Sequence, residues 1–90
     1  MANKAEISWK RTTEDGEKLQ VYAYRTNREW KFFHRAKRFD QWQAVKEPPL
    51  EDWMELLDAV QRLVNRRRHQ PADEVRLRRQ IRERFPEADV

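Results

Sequence analysis

No cysteine occurs in the 90 residues, so disulfides, thiolate metal ligation and thiol redox chemistry are excluded. Glycine occurs once, at Gly16, which rules out a glycine-rich phosphate loop. Serine occurs once, at Ser8, with no nucleophile-elbow motif around it. The two histidines, His34 and His69, are far apart and lack HxxxH or HxxE spacing, so neither a zinc site nor histidine catalysis is expected. No apolar run approaches the roughly 18 residues that span a bilayer. Met1 to Glu6 lacks the apolar segment of a signal peptide, which makes the cytoplasm the expected location. These absences point to a chain without cofactor, metal or membrane partner, and not to an enzyme.

What the chain has is charge and aromatic rings. Charged residues make up 40% and apolar ones 38%, and four Trp, four Phe and two Tyr argue against disorder. The expectation is one folded domain over 1–90, with Met1 to Lys4 frayed. A chain this short buries roughly 60–65% of its unfolded surface, so the core is modest. The net charge of +4 is uneven. Up to Glu47, eleven Lys/Arg stand against seven acids; from Pro48 onward, nine arginines balance nine acids. Within Lys18 to Arg38, seven cations meet one acid, Glu29, and the same stretch holds Tyr22, Tyr24, Trp30, Phe32 and Phe33.

Ile7 to Thr12 begins with apolar–polar alternation and reads as a strand. Asp15-Gly16 then predicts a hairpin, because glycine supplies a positive φ, and Leu19 to Tyr24 is the returning strand. Thr26-Asn27-Arg28 reads as a turn. The next stretch has two readings. As a helix, Thr26 and Glu29 form a capping box. As strands, about 29–36 and 40–45, it completes a meander; the density of Trp and Phe favours strands, and a lone hairpin is marginal in water. Pro48-Pro49 ends the meander. Leu50, Trp53, Met54, Leu57, Val60, Leu63 and Val64 recur at helical spacing, with Leu56 widening the stripe. Acids come early (Glu51, Asp52, Glu55, Asp58) and arginines late (Arg62, Arg66, Arg67, Arg68), which suits the helix dipole over 49–68. Pro71 opens a second, Arg-rich helix over 71–85, with Leu77, Ile81 and Phe85 on one face. The predicted fold class is α+β: an antiparallel meander of three or four strands over 5–45, a long amphipathic helix, and a shorter one.

Pleating sorts the strand residues into two sets. Ile7, Trp9, Leu19, Val21, Ala23, Trp30, Phe32 and Ala36 form the set expected to pack beneath the long helix. Lys10, Thr12, Gln20, Tyr22, Tyr24, Lys31, Phe33, Arg35 and Lys37 form the other, which mixes rings and cations and contains no acid. Single-strand binders need that mixture, because cations follow the phosphates and rings stack on unpaired bases. The candidate contacts are Lys10, Tyr22, Tyr24, Lys31, Phe33, Arg35 and Lys37. The plainer reading is that Tyr and Phe are good strand formers and the cations solubilise them. Arg66-Arg67-Arg68 reads as a phosphate clamp or, more plainly, as cations at a helix C-terminus, with the Arg67 stem along the apolar face. The acids that start the long helix are explained by capping.

A four-stranded antiparallel meander followed by a long helix resembles, in element order over about residues 5–68, the PUR-repeat and whirly-type single-strand-binding folds. The resemblance implies nucleic-acid binding, to single-stranded DNA or RNA, through the sheet. The alternative is a protein–protein or structural module in which the exposed rings form a homodimer or partner interface.

Overall fold

The computed structural model describes residues 6–26, 29–37 and 39–90. The Met1 to Lys4 segment and the Asn27-Arg28 turn lie outside them. Four strands form one antiparallel sheet in the order β1-β2-β3-β4: Glu6–Thr12, Lys18–Thr26, Glu29–Arg35 and Gln43–Val45. Two helices follow, α1 over Leu50–Asn65 and α2 over Pro71–Arg84. The chain divides into two compact units, Met1–Pro48 and Pro49–Val90.

In the sheet unit, the β1–β2 turn is built around the one glycine. Gly16 N–H donates to Thr13 O at 2.9 Å, Thr13 N–H to Glu17 O at 2.8 Å, and Glu17 N–H to Thr13 Oγ1 at 3.1 Å. Gly16 has φ 84°, the left-handed conformation that closes a three-residue hairpin loop. The register runs from Glu6↔Tyr24 to Thr12↔Lys18, and from Gln20↔Arg35 to Thr26↔Glu29. Along β2 burial alternates from Lys18 to Tyr24, and its ladder with 29–35 makes that segment a strand. Leu19, Val21, Ala23, Trp30 and Phe32 are buried, and Trp9 meets Phe32 edge-on at 6.0 Å. Ile7 and Trp9 are half-buried on the same side.

The meander differs from its predicted bounds at its far end. β3 stops at Arg35 rather than 36, and β4 covers 43–45 rather than 40–45. Asp40 explains both. Its carboxylate accepts the Lys37 N–H at 3.1 Å while its own N–H donates to Lys37 O at 2.9 Å, so 37–40 turns instead of pairing. Ala36 is therefore half-buried beyond the strand, not a strand residue.

In the helical unit, Trp53, Leu56, Leu57 and Val60 of α1 are buried, as are Leu77 and Ile81 of α2. Gln61 Nε2 donates to Glu74 Oε2 at 3.3 Å near the connection, and the Arg84 guanidinium lies 5.3 Å from the Trp53 ring near the far end. These two pairs make α1 and α2 antiparallel. Within the predicted apolar stripe Met54 is 40% exposed and Leu50, Leu63 and Val64 are only half-buried, while Leu56, which widened it, is fully buried. Asp58 and Arg62 pair at 3.4 Å, as their i,i+4 spacing predicts. The helix ends at Asn65, not near Arg68, because the chain turns left-handed at Arg67, with φ 61°. Arg67 is exposed beyond the helix, so its stem does not lie along the apolar face. Pro71 opens α2, and Asp73 caps it by accepting the Gln70 N–H at 3.1 Å. The same buried carboxylate receives Arg76 Nη1 at 3.2 Å and lies 3.3 Å from His69 Nδ1. α2 ends at Arg84, which leaves Phe85 half-buried as its C-cap.

Candidate nucleic-acid interface

The register assembles the second sheet face in rows. Thr12 lies beside Lys18. Lys10, Gln20 and Arg35 form the next row, Ser8, Tyr22, Phe33 and Ala44 the third, and Glu6, Tyr24 and Lys31 the fourth; Thr26 and Glu29 end the face. A row of two rings and two small residues thus lies between a cationic row and one in which Tyr24 stands between Glu6 and Lys31. Lys10 and Lys31 are exposed, whereas Tyr22, Tyr24, Phe33 and Arg35 are half-buried.

The three rings of the central rows stand nearly parallel. Phe33 lies 5.0 Å from Tyr22 with 15° between planes, and 5.7 Å from Tyr24 with 8°; the two tyrosines are 6.2 Å apart at 22°. Tyr22 and Phe33 are too close to lie side by side in one plane, so they are offset-stacked. The sheet dictates this, since Tyr22 and Phe33 are directly opposed and Tyr24 follows on the same face. Burial pushes the Tyr22 hydroxyl above its ordinary pKa, with Glu6 and Tyr24 adding to the shift.

A fourth ring joins them that the strand pattern missed. Trp42 stands edge-on to Tyr22 at 4.6 Å and 88°, and the Arg35 guanidinium lies 4.2 Å from its centroid. Arg35 Nε also donates to Gln20 Oε1 at 2.7 Å, so the arginine is held over the indole by a hydrogen bond and a cation–π contact. The signal for Trp42 was its parity with Ala44, which pairs with Phe33; it was hidden because residue 42 precedes the short β4. A shallow recess of about 390 Å³ opens here, with Glu6, Ser8, Lys10, Gln20, Tyr22, Arg35 and Trp42 around it. A larger one, of about 590 Å³, lies beside His34, Asp40 and Gln43.

Six of the seven predicted contacts therefore share one face. Lys37 does not: it belongs to the turn that Asp40 caps. Nor is the face free of acid, because Glu6 and Glu29 occupy its far rows, opposite Tyr24 and Thr26. Glu6 lay one residue before the predicted first strand, whereas Glu29 lay inside the predicted 29–36 strand, at the parity of Lys31. Among the described residues no group of three or more His, Cys, Asp and Glu side chains could hold a metal. No helix among them is long and apolar enough to cross a membrane.

Comparison with protein-family models, curated proteins and solved structures finds no match, so the resemblance to single-strand-binding folds remains one of element order.

Proposed function

We propose that the sheet face binds single-stranded nucleic acid with little sequence preference. The observation that carries this is the row order: Tyr22, Tyr24, Phe33 and Trp42 lie together, with Lys10 and Arg35 in the row alongside. Unpaired bases stack on the ring surfaces that the rings do not cover among themselves, and phosphates follow the cations. The recess between Tyr22 and Trp42 is at the small end of ligand sites and suits one base. Ser8 and Gln20 offer hydrogen bonds to its edge. Glu6 and Glu29 repel phosphates from the far rows, which orients the strand toward Lys10, Lys18 and Arg35. The proposal assigns no reaction to the protein.

A second reading is a protein-partner interface, favoured by Phe39, which is 94% exposed next to the Asp40 turn. Salt separates the two, because phosphate contacts release counterions and an aromatic interface does not. Fluorescence anisotropy with labelled single-stranded and duplex oligonucleotides at two salt concentrations is the test. Single-strand binding that weakens steeply with salt is expected. No binding at low salt rejects the proposal.

A further inference from the structure

The corner between α1 and α2 carries three consecutive arginines, Arg66, Arg67 and Arg68, all exposed. The chain leaves α1 there through a Schellman turn, in which Arg67 N–H donates to Val64 O at 2.9 Å and Arg68 N–H to Leu63 O at 2.8 Å. Arg67 occupies the left-handed position of that turn, with φ 61°. Glycine is favoured there because any Cβ crowds the backbone. An arginine at this point strains the fold, and its side chain returns nothing to it.

Most other arginines of the helical unit have partners. Arg62 pairs with Asp58, Arg76 with Asp73 and Arg78 with Glu74; Arg82 donates to Val90 O, and Arg84 lies over Trp53. Arg66, Arg67 and Arg68 make no ion pair or side-chain hydrogen bond among the described residues. No acid occurs between Asp58 and Asp73, and both of those carboxylates are engaged elsewhere. Three consecutive exposed arginines thus stand at a left-handed turn with no counter-charge among the described residues.

We propose that the Arg66–Arg68 turn is a second anion site, one that grips the phosphodiester backbone of nucleic acid independently of base identity. Guanidinium forks match phosphate oxygens in bidentate geometry, and a row of three suits a ligand whose anionic groups repeat. A membrane surface would require an apolar wedge beside the cations, and an acidic protein an aromatic or aliphatic anchor. Neither is present among the described residues: the large exposed apolar ones are Phe39, Trp42, Met54 and Val75, none of them in the turn, which is flanked by Asn65 and His69. The site stands on different residues, in a different unit, from the sheet face.

The test uses the full chain, a labelled oligothymidylate and a blunt duplex of equal length, followed by anisotropy over a salt series. Arg67→Gly is the decisive variant. It relieves the left-handed strain and removes one contact, so its melting temperature should rise while its affinity falls. The slope of log affinity against log salt should drop by about 0.7 per arginine removed on the single strand and about 0.9 on the duplex, with the Arg66→Gln/Arg67→Gly/Arg68→Gln triple variant losing most. A raised melting temperature with unchanged affinity and slope overturns this site. If Tyr22→Ala still weakens binding in that case, the sheet proposal stands alone. Binding lost only through the arginine variants supports this site and rejects the sheet. Failure of the unaltered protein to bind either oligonucleotide at low salt rejects both. Co-sedimentation with phosphatidylserine vesicles, abolished in the triple variant and unaccompanied by oligonucleotide binding, would reassign the turn to lipid and overturn the proposal.

Discussion

Tyr22 is the residue on which the sheet face converges, because it touches Tyr24, Phe33 and Trp42 at once. Rings and cations should fail differently there. Tyr22→Ala or Phe33→Ala should weaken single-strand binding by about 1–3 kcal/mol and leave the salt slope nearly unchanged, because stacking releases no counterion. Lys10→Ala or Lys31→Ala should instead lower that slope by up to about 0.7 each. Both lysines are exposed, so stability should shift by less than about 0.5 kcal/mol. Anisotropy over a salt series and thermal melts of the four variants check both statements. The Tyr22 hydroxyl also makes a pH prediction. Its folded pKa is raised above 10.0, so the fold favours the neutral phenol. That contribution is complete below the unfolded value and disappears as pH climbs through the folded one, so stability should fall above about pH 10. Phenolate absorbance should show a late-titrating component that Tyr22→Phe removes; a titration unaltered by Tyr22→Phe contradicts the assignment.

At the scale of single elements, the hairpin turn and α1 bear most directly on stability. Gly16 has open space around its would-be Cβ, so Gly16→Ala meets no neighbour and costs only the left-handed backbone term, about 1–2 kcal/mol. Denaturant unfolding measures it, and a neutral result would mean that the turn has another conformation. Leu57 is 3% exposed on α1, and Leu57→Ala should cost about 2–5 kcal/mol. Met54, three positions earlier, is 40% exposed, so Met54→Ala should cost much less. Equal losses at the two positions would contradict the helix rotation. Both residues satisfy the same helical spacing; a stripe drawn from periodicity spans a wide arc, and only packing decides which side of that arc is covered.

For the whole molecule, the prediction is uniformity. In the proposed mode stacking and phosphate contacts carry the affinity, and the Ser8 hydroxyl and Gln20 amide can serve any base edge, so homopolymers of different bases should bind within about tenfold of one another, or about 1.4 kcal/mol. A much larger preference in the same anisotropy assay would demand specific base contacts. The charge layout points the same way: the surplus lies within the first 47 residues, while the helical half is neutral overall yet leaves Arg66 to Arg68 unbalanced locally.

The α+β class, the Gly16 hairpin and the two helices were legible in the residues themselves, whereas 29–45 had two readings, of which the favoured one, strands, is the one observed. Alternation, helical spacing, proline and glycine act through local sterics and solvent exposure, which need no knowledge of distant neighbours. The same local rules put Tyr22, Tyr24, Phe33, Lys10, Lys31 and Arg35 on one side. What they did not reach depended on particular side-chain and backbone pairings, some local and some distant. Asp40 accepts the Lys37 amide and so shortens β3 and β4, taking Lys37 off the face. Trp42 is drawn onto Tyr22 and under Arg35 from outside any strand. Glu6 joins the face through its pairing with Tyr24, one residue before the predicted strand, whereas Glu29 stood at the parity of Lys31 inside the predicted one. Arg66, Arg67 and Arg68 continue the helical charge pattern in one dimension, yet a left-handed turn at Arg67 lifts them out of the helix. Periodicity gives a side to each residue, whereas register, turn hydrogen bonds and ring contacts decide which residues meet, because those energies depend on specific pairs of groups and not on a repeat.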